Sequence, residues 1–85
     1  MPTVLRIGPY RFYFYSHDLI AEPPHVHVDG DDLSAKFWLE PVALARNLGF
    51  SASELRRIEK IVSEHQAELL ERWYQEYGRA TGPTS

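Results

Sequence analysis

The strongest constraint on how this chain can fold is a pair of prolines standing directly before a run of alternating residues. Pro23 and Pro24 precede His25-Val26-His27-Val28. A central strand cannot run through two residues that lack a backbone N–H, so pairing should begin at about His25. Val26 and Val28 then point to one face of a sheet, and His25, His27 and Asp29 to the other. Asp29-Gly30-Asp31-Asp32 reads as a turn in which Gly supplies positive φ and the aspartates bond local backbone. Beyond it, Leu33, Ala35, Phe37 and Leu39 fall on the valine side, and Ser34, Lys36 and Trp38 on the histidine side. Setting Val28 opposite Leu33 puts His27 across from Ser34 and His25 across from Lys36.

The same reasoning extends in both directions. Residues 4–7 and 11–15 flank Gly8-Pro9 and mix aromatic and β-branched residues with arginine, the pattern of a hairpin. Phe12 and Phe14 share one face there, and Arg11, Tyr13 and Tyr15 the other. Residues 16–24 form a connection. A turn at Glu40-Pro41 should return the chain as a fifth strand over 42–47, although Pro-Val-Ala-Leu is also compatible with a short helix. In the strand reading Ser34 lies opposite Asn47, Lys36 opposite Ala45 and Trp38 opposite Ala43.

From Ser51 the period changes. Ser51 and Glu54 have capping-box spacing, and Leu55, Ile58, Ile61, Val62, His65, Leu69, Trp73 and Tyr77 recur at helical steps. One long C-terminal helix is expected, with His65 packed on its apolar stripe and its charges on a solvated face. Gly78 would end it, leaving 79–85 as a loose tail. The fold class is therefore α+β: a small antiparallel sheet of about four to five strands packed on that helix, in one domain over residues 1–78.

Composition limits the function classes. At 85 residues there is material for one core only. With no cysteine, neither a disulfide framework nor a thiolate zinc site can form, which fits a cytoplasmic protein. No stretch reads as a signal peptide or a membrane span. The formal net charge of -3 argues against a protein that lives by neutralising phosphates over its whole surface.

Parity thus gathers His25, His27, Ser34, Lys36, Trp38 and Asn47 on the face away from the helix, with Tyr13 and Tyr15 beside them if the first hairpin extends it. Three readings of that face stay open. In the first, His25 and His27 share the proton transfers of metal-free phosphodiester cleavage, Lys36 stabilises developing negative charge, and the tyrosines stack RNA bases. In the second, Trp38, Tyr13 and Tyr15 among a few polar groups, Ser34 and Asn47 included, form a protein interface. In the third, two imidazoles at i and i+2 share a metal ion with Asp29 or His17. No cofactor motif, phosphate loop or nucleophile elbow is present.

The run Glu22-Pro23-Pro24-His25-Val26-His27-Val28, followed by residues 35–51 and 54–78, resembles the bacterial family called domain of unknown function 4160. Its most specific element is Pro-Pro-His-x-His, matched by Pro23, Pro24, His25 and His27; Leu69-Leu70-Glu71-x-Trp73 matches the end of the long helix. The family pattern carries Asn before the prolines and Phe between the histidines, where Glu22 and Val26 stand here. Members are small bacterial proteins often encoded beside another small protein, an arrangement similar to toxin–antitoxin modules. The resemblance therefore implies a small cognate partner, with the open face as either a nuclease-like site or the patch that partner covers. An exposed edge strand also leaves room for a homo-oligomer. No catalytic residue is carried over from the family.

Overall fold

In the computed structural model, which describes residues 3–15 and 22–77, the alternation is realised as five strands. They are β1 (Thr3–Ile7), β2 (Tyr10–Tyr13), β3 (His25–Gly30), β4 (Leu33–Leu39) and β5 (Val42–Leu48), joined in one antiparallel sheet of order β1-β2-β3-β4-β5. Most of the connection over 16–24, including His17, and Gly78 with the tail that follows it lie outside the described residues. Strand β3 starts at His25, directly after the two prolines, and residues 42–48 are strand.

Two registers differ from expectation. The β3–β4 turn is Asp31-Asp32, so Gly30 pairs with Leu33, Asp29 with Ser34, His27 with Lys36 and His25 with Trp38. This slides the hairpin by two residues and leaves every side chain on its expected face. Asp31, at φ 55, takes the left-handed position that had been given to Gly30. Gly30 has a different job: a Cβ there would stand 3.1 Å from the Tyr10 ring and 3.2 Å from that of Phe50, both packed over its backbone. Between β4 and β5, Trp38 pairs with Ala43 as expected and Phe37 with Leu44. The register then shifts. Ala45 is an extra residue, and Lys36 pairs with Arg46, Ala35 with Asn47 and Ser34 with Leu48.

The helical segment is broken at His65 into α1 (Ala52–Glu64) and α2 (Gln66–Tyr77), so the single long helix is corrected to two. No Gly or Pro causes the break. His65 adopts φ -110 and ψ 16, and its Nδ1 donates to the Ile61 carbonyl at 2.9 Å, the acceptor its own backbone N–H also uses at 3.1 Å. Gln66 Nε2 then donates to the Leu39 carbonyl at 2.6 Å, tying the start of α2 to the end of β4. At the other end Ser51 caps α1 by accepting from Glu54 N–H at 3.2 Å. The Glu54 carboxylate turns to the Tyr10 hydroxyl rather than closing the capping box.

The apolar stripe survives the break. Ile58, Val62, Leu69 and Trp73 are buried against Phe12, Phe14, Val26, Val28, Ala35, Phe37 and Leu39, one face of the sheet. Both helices therefore cover the valine side, and among the described residues no helical layer covers the histidine side. Among the described residues, no helix is long and apolar enough to cross a membrane.

Candidate functional site

Directly paired residues point to the same side of a sheet, so the pairings resolve the open face into cross-strand rows. Tyr13, His27, Lys36 and Arg46 form one row across β2 to β5. Arg6, Arg11, Asp29, Ser34 and Leu48 form the next. His25, Trp38 and Ala43 form a third, at the end of the sheet where β3 begins.

Those rows segregate charge. The strands contain four cationic side chains, Arg6, Arg11, Lys36 and Arg46, and one acid, Asp29. All five lie on the open face. A cleft of about 320 Å³ opens there, lined by Tyr13, Tyr15, Glu22, His27, Ser34, Lys36, Arg46 and Leu48 along with the Ala35 strand.

His25 does not face solvent. Its side chain is wholly buried, with ring centroids 4.9 Å from Trp73, 5.1 Å from His27 and 5.8 Å from Trp38. Its Nδ1 donates to the Pro23 carbonyl at 2.9 Å. The cause is its row: at this end of the sheet Trp73 of α2 reaches His25 and also packs edge-on against Phe14. Parity alone could not see that closure. His27, one pleat further in, is half-buried and lines the cleft, in ring contact with Tyr15 at 4.4 Å.

Tyr13 is also less available than expected, at 5 % exposure. Its ring stacks on His27 and lies beneath the Arg11 guanidinium, 4.4 Å from the ring centroid. Its hydroxyl donates to Asp29 at 2.9 Å, and Arg11 binds the other Asp29 oxygen at 3.3 Å. Burial above all, then hydrogen bonding with Tyr15 and Asp29 and the Asp29 charge, pushes the Tyr13 pKa well above the usual tyrosine range. Tyr15, half-buried, stays on the cleft wall.

Lys36 reaches across to Glu22, which takes its ammonium on Oε1, and lies 4.8 Å over the Trp38 ring. Trp38 is half-buried on the open face. Ser34 lines the cleft. Asn47 does not belong to this face. The extra residue Ala45 turns it to the helix side, where its amide donates to the Phe50 carbonyl and accepts from Phe50 N–H, both at 3.0 Å. In its place the bulge delivers Arg46 and Leu48, which parity counted along an unbroken strand had sent inward. Glu22, Arg46 and Leu48 are the cleft residues that sequence reasoning missed. The only sequence signal among them was Glu22, an acid where the family pattern carries Asn. Among the described residues no three His, Asp or Glu side chains group as ligands for one metal ion.

The molecule is thus a small α+β domain whose meander is covered on one face and presents a cationic, aromatic cleft on the other. A model of the family described as a domain of unknown function (DUF4160) matches residues 10–74, and the chain belongs to that family. The match spans β2 through most of α2, so it includes every cleft residue. No curated protein and no solved structure matches the chain.

Proposed function

We propose that this chain is a non-catalytic binding module, the protein-docking member of a toxin–antitoxin-like pair acting in the cytoplasm, and that its open face receives the cognate partner. The observation that carries this reading is the charge segregation: in a chain of net charge -3, every cation of the described strands lies on the sheet face opposite the two helices. Lys36 and Arg46 stand side by side there, with Tyr15, Leu48 and Trp38 as apolar neighbours.

Two competing uses of the face are less well supported. Cleavage by paired histidines needs both imidazoles at the scissile phosphate. His25 is buried and hydrogen-bonded to Pro23, so among the described residues His27 is the one histidine that lines the cleft with Lys36 and Arg46. A long polyanion would also meet the acids that punctuate the sheet: Asp31-Asp32 and Glu40 at its turns, and Glu22 on the cleft rim. A compact acidic group presented by a protein avoids them.

The test is co-expression with the product of whichever small gene neighbours this one, followed by size-exclusion chromatography with light scattering. A defined complex is expected, and Lys36→Glu with Arg46→Glu should abolish it while circular dichroism stays unchanged. A complex that survives both charge reversals would refute the assignment of the face. So would RNA cleavage by the purified protein that is lost in His27→Ala.

A further inference from the structure

Among the described residues, Glu22 is the one acid from outside the strands that lines the cationic cleft. Its Oε1 takes the Lys36 ammonium and lies 3.7 Å from His25 Nδ1. It lines the same cleft as Lys36, Arg46, His27 and Ser34. The following Pro23-Pro24 pair restricts the backbone on which it sits. Arg46 shares the cross-strand row with Lys36, is exposed, and has no carboxylate partner among the described residues.

We infer that the cleft is a carboxylate subsite in which Glu22 stands in for an Asp or Glu side chain of the docking partner, and that docking exchanges one carboxylate for the other on Lys36 while Arg46 closes on the newcomer. The inference rests on the docking role proposed above and names the chemistry the partner must present. Three features of the cleft favour it. The Glu22–Lys36 pair sits at the surface, with the Glu22 side chain 39 % exposed, so trading one partner for another costs little. The Arg46 guanidinium offers a planar fork that suits a carboxylate. Leu48, 56 % exposed, and Tyr15 border the opening and match the methylene stem of an incoming acidic side chain.

The subsite can be probed without the partner. Titrating N-acetyl-glutamate N-methylamide into the isotope-labelled protein, with inorganic phosphate in parallel, is followed by shifts of the Arg46 Nε–H and of the His27, Ser34 and Lys36 amides. Saturable shifts confined to the cleft are expected with the glutamate probe. Glu22→Gln, which still offers Lys36 an oxygen, should tighten binding about twofold to fivefold, the competition a partly exposed ion pair can exert. Arg46→Ala, at an exposed position, should weaken it without altering the fold. Absent cleft shifts, unchanged affinity in Glu22→Gln, or tighter binding of phosphate than of the glutamate probe would each overturn the inference. A partner complex with none of these shifts sinks the carboxylate exchange alone. Shifts that tighten in Glu22→Gln without any complex uphold the subsite and sink the docking role.

Discussion

Replacing His25 by alanine separates the two things a buried histidine beside a cleft could be. The imidazole has no exposed surface, touches Trp73, Trp38 and His27, and satisfies the Pro23 carbonyl. Truncating a ring buried to this extent costs about 2 kcal/mol or more in lost contacts and residual cavity. Leaving the carbonyl without its donor adds about 1 kcal/mol. A loss of about 3 kcal/mol is a large share of the stability of a small domain and lowers Tm by roughly 12–24 °C at this chain length. His27→Ala, at a half-buried position, should cost about 1 kcal/mol. Urea denaturation followed by tryptophan fluorescence is the natural assay, because both tryptophans of the chain lie against His25. His25→Asn keeps a donor while removing the ring and so separates hydrogen bond from packing. If His25→Ala unfolds within about 0.5 kcal/mol of the parent, an amount typical of innocuous surface changes, the packing argument is wrong and the histidine is there for another reason. A function lost in a His25/His27 double mutant would say nothing about catalysis unless this measurement came first.

Asn47→Ala removes both amide hydrogen bonds to Phe50 and should cost about 1–2 kcal/mol in a urea titration while leaving partner binding intact. Impaired binding at full stability would return Asn47 to the site. Ser51→Ala deletes the N-cap of α1 and should lower stability by about 1 kcal/mol, with reduced helical ellipticity near Tm. Tyr13 predicts a pH effect. The folded protein keeps the phenolic proton more firmly than the unfolded chain, which releases it near the ordinary value of about 10. The Tyr13 contribution is therefore whole below pH 10 and shrinks as pH rises from there toward the higher folded value. Tyr13→Phe should flatten that alkaline decline in melts between pH 9 and pH 11, about the window in which only the unfolded tyrosine ionises; an unchanged slope would remove Tyr13 as its source.

Much of the fold was legible because local signals agreed with each other. Pro23-Pro24 set the start of β3, Gly8-Pro9 and Glu40-Pro41 marked hairpin turns, and the residues from Ile58 to Trp73 kept helical spacing across the break. What could not be read depended on competition between near-equivalent local solutions or on distant packing. Asp29-Gly30-Asp31-Asp32 offers more than one two-residue turn, and the choice of Asp31-Asp32 lets Tyr10 and Phe50 pack over a residue without a side chain. The break at His65 follows from a side chain sharing the carbonyl of its own helix and from Gln66 reaching Leu39, neither of which has a periodic signature. His25 and His27 have the same parity, and only Trp73, 48 positions beyond His25, makes one of them core and the other cleft. Asn47 was misplaced because parity was counted through an alanine that does not pair.

That alanine sets the character of the cleft by a shift of frame rather than by composition. Were Ala45 paired with Lys36 in an unbulged strand, the residues after it would each turn to the opposite side: Arg46 and Leu48 would lie against the helical layer, and the amide of Asn47 would stand beside Ser34. No side chain needs replacing for the face to lose its second cation and its apolar lip. β5 has a neighbour on one side only, so it can accommodate a single-residue insertion without disturbing a further strand. The last strand of this meander therefore works as a reading-frame control for the cleft: whether Ala45 bulges out or pairs decides which side chains line it, while the core keeps its sequence.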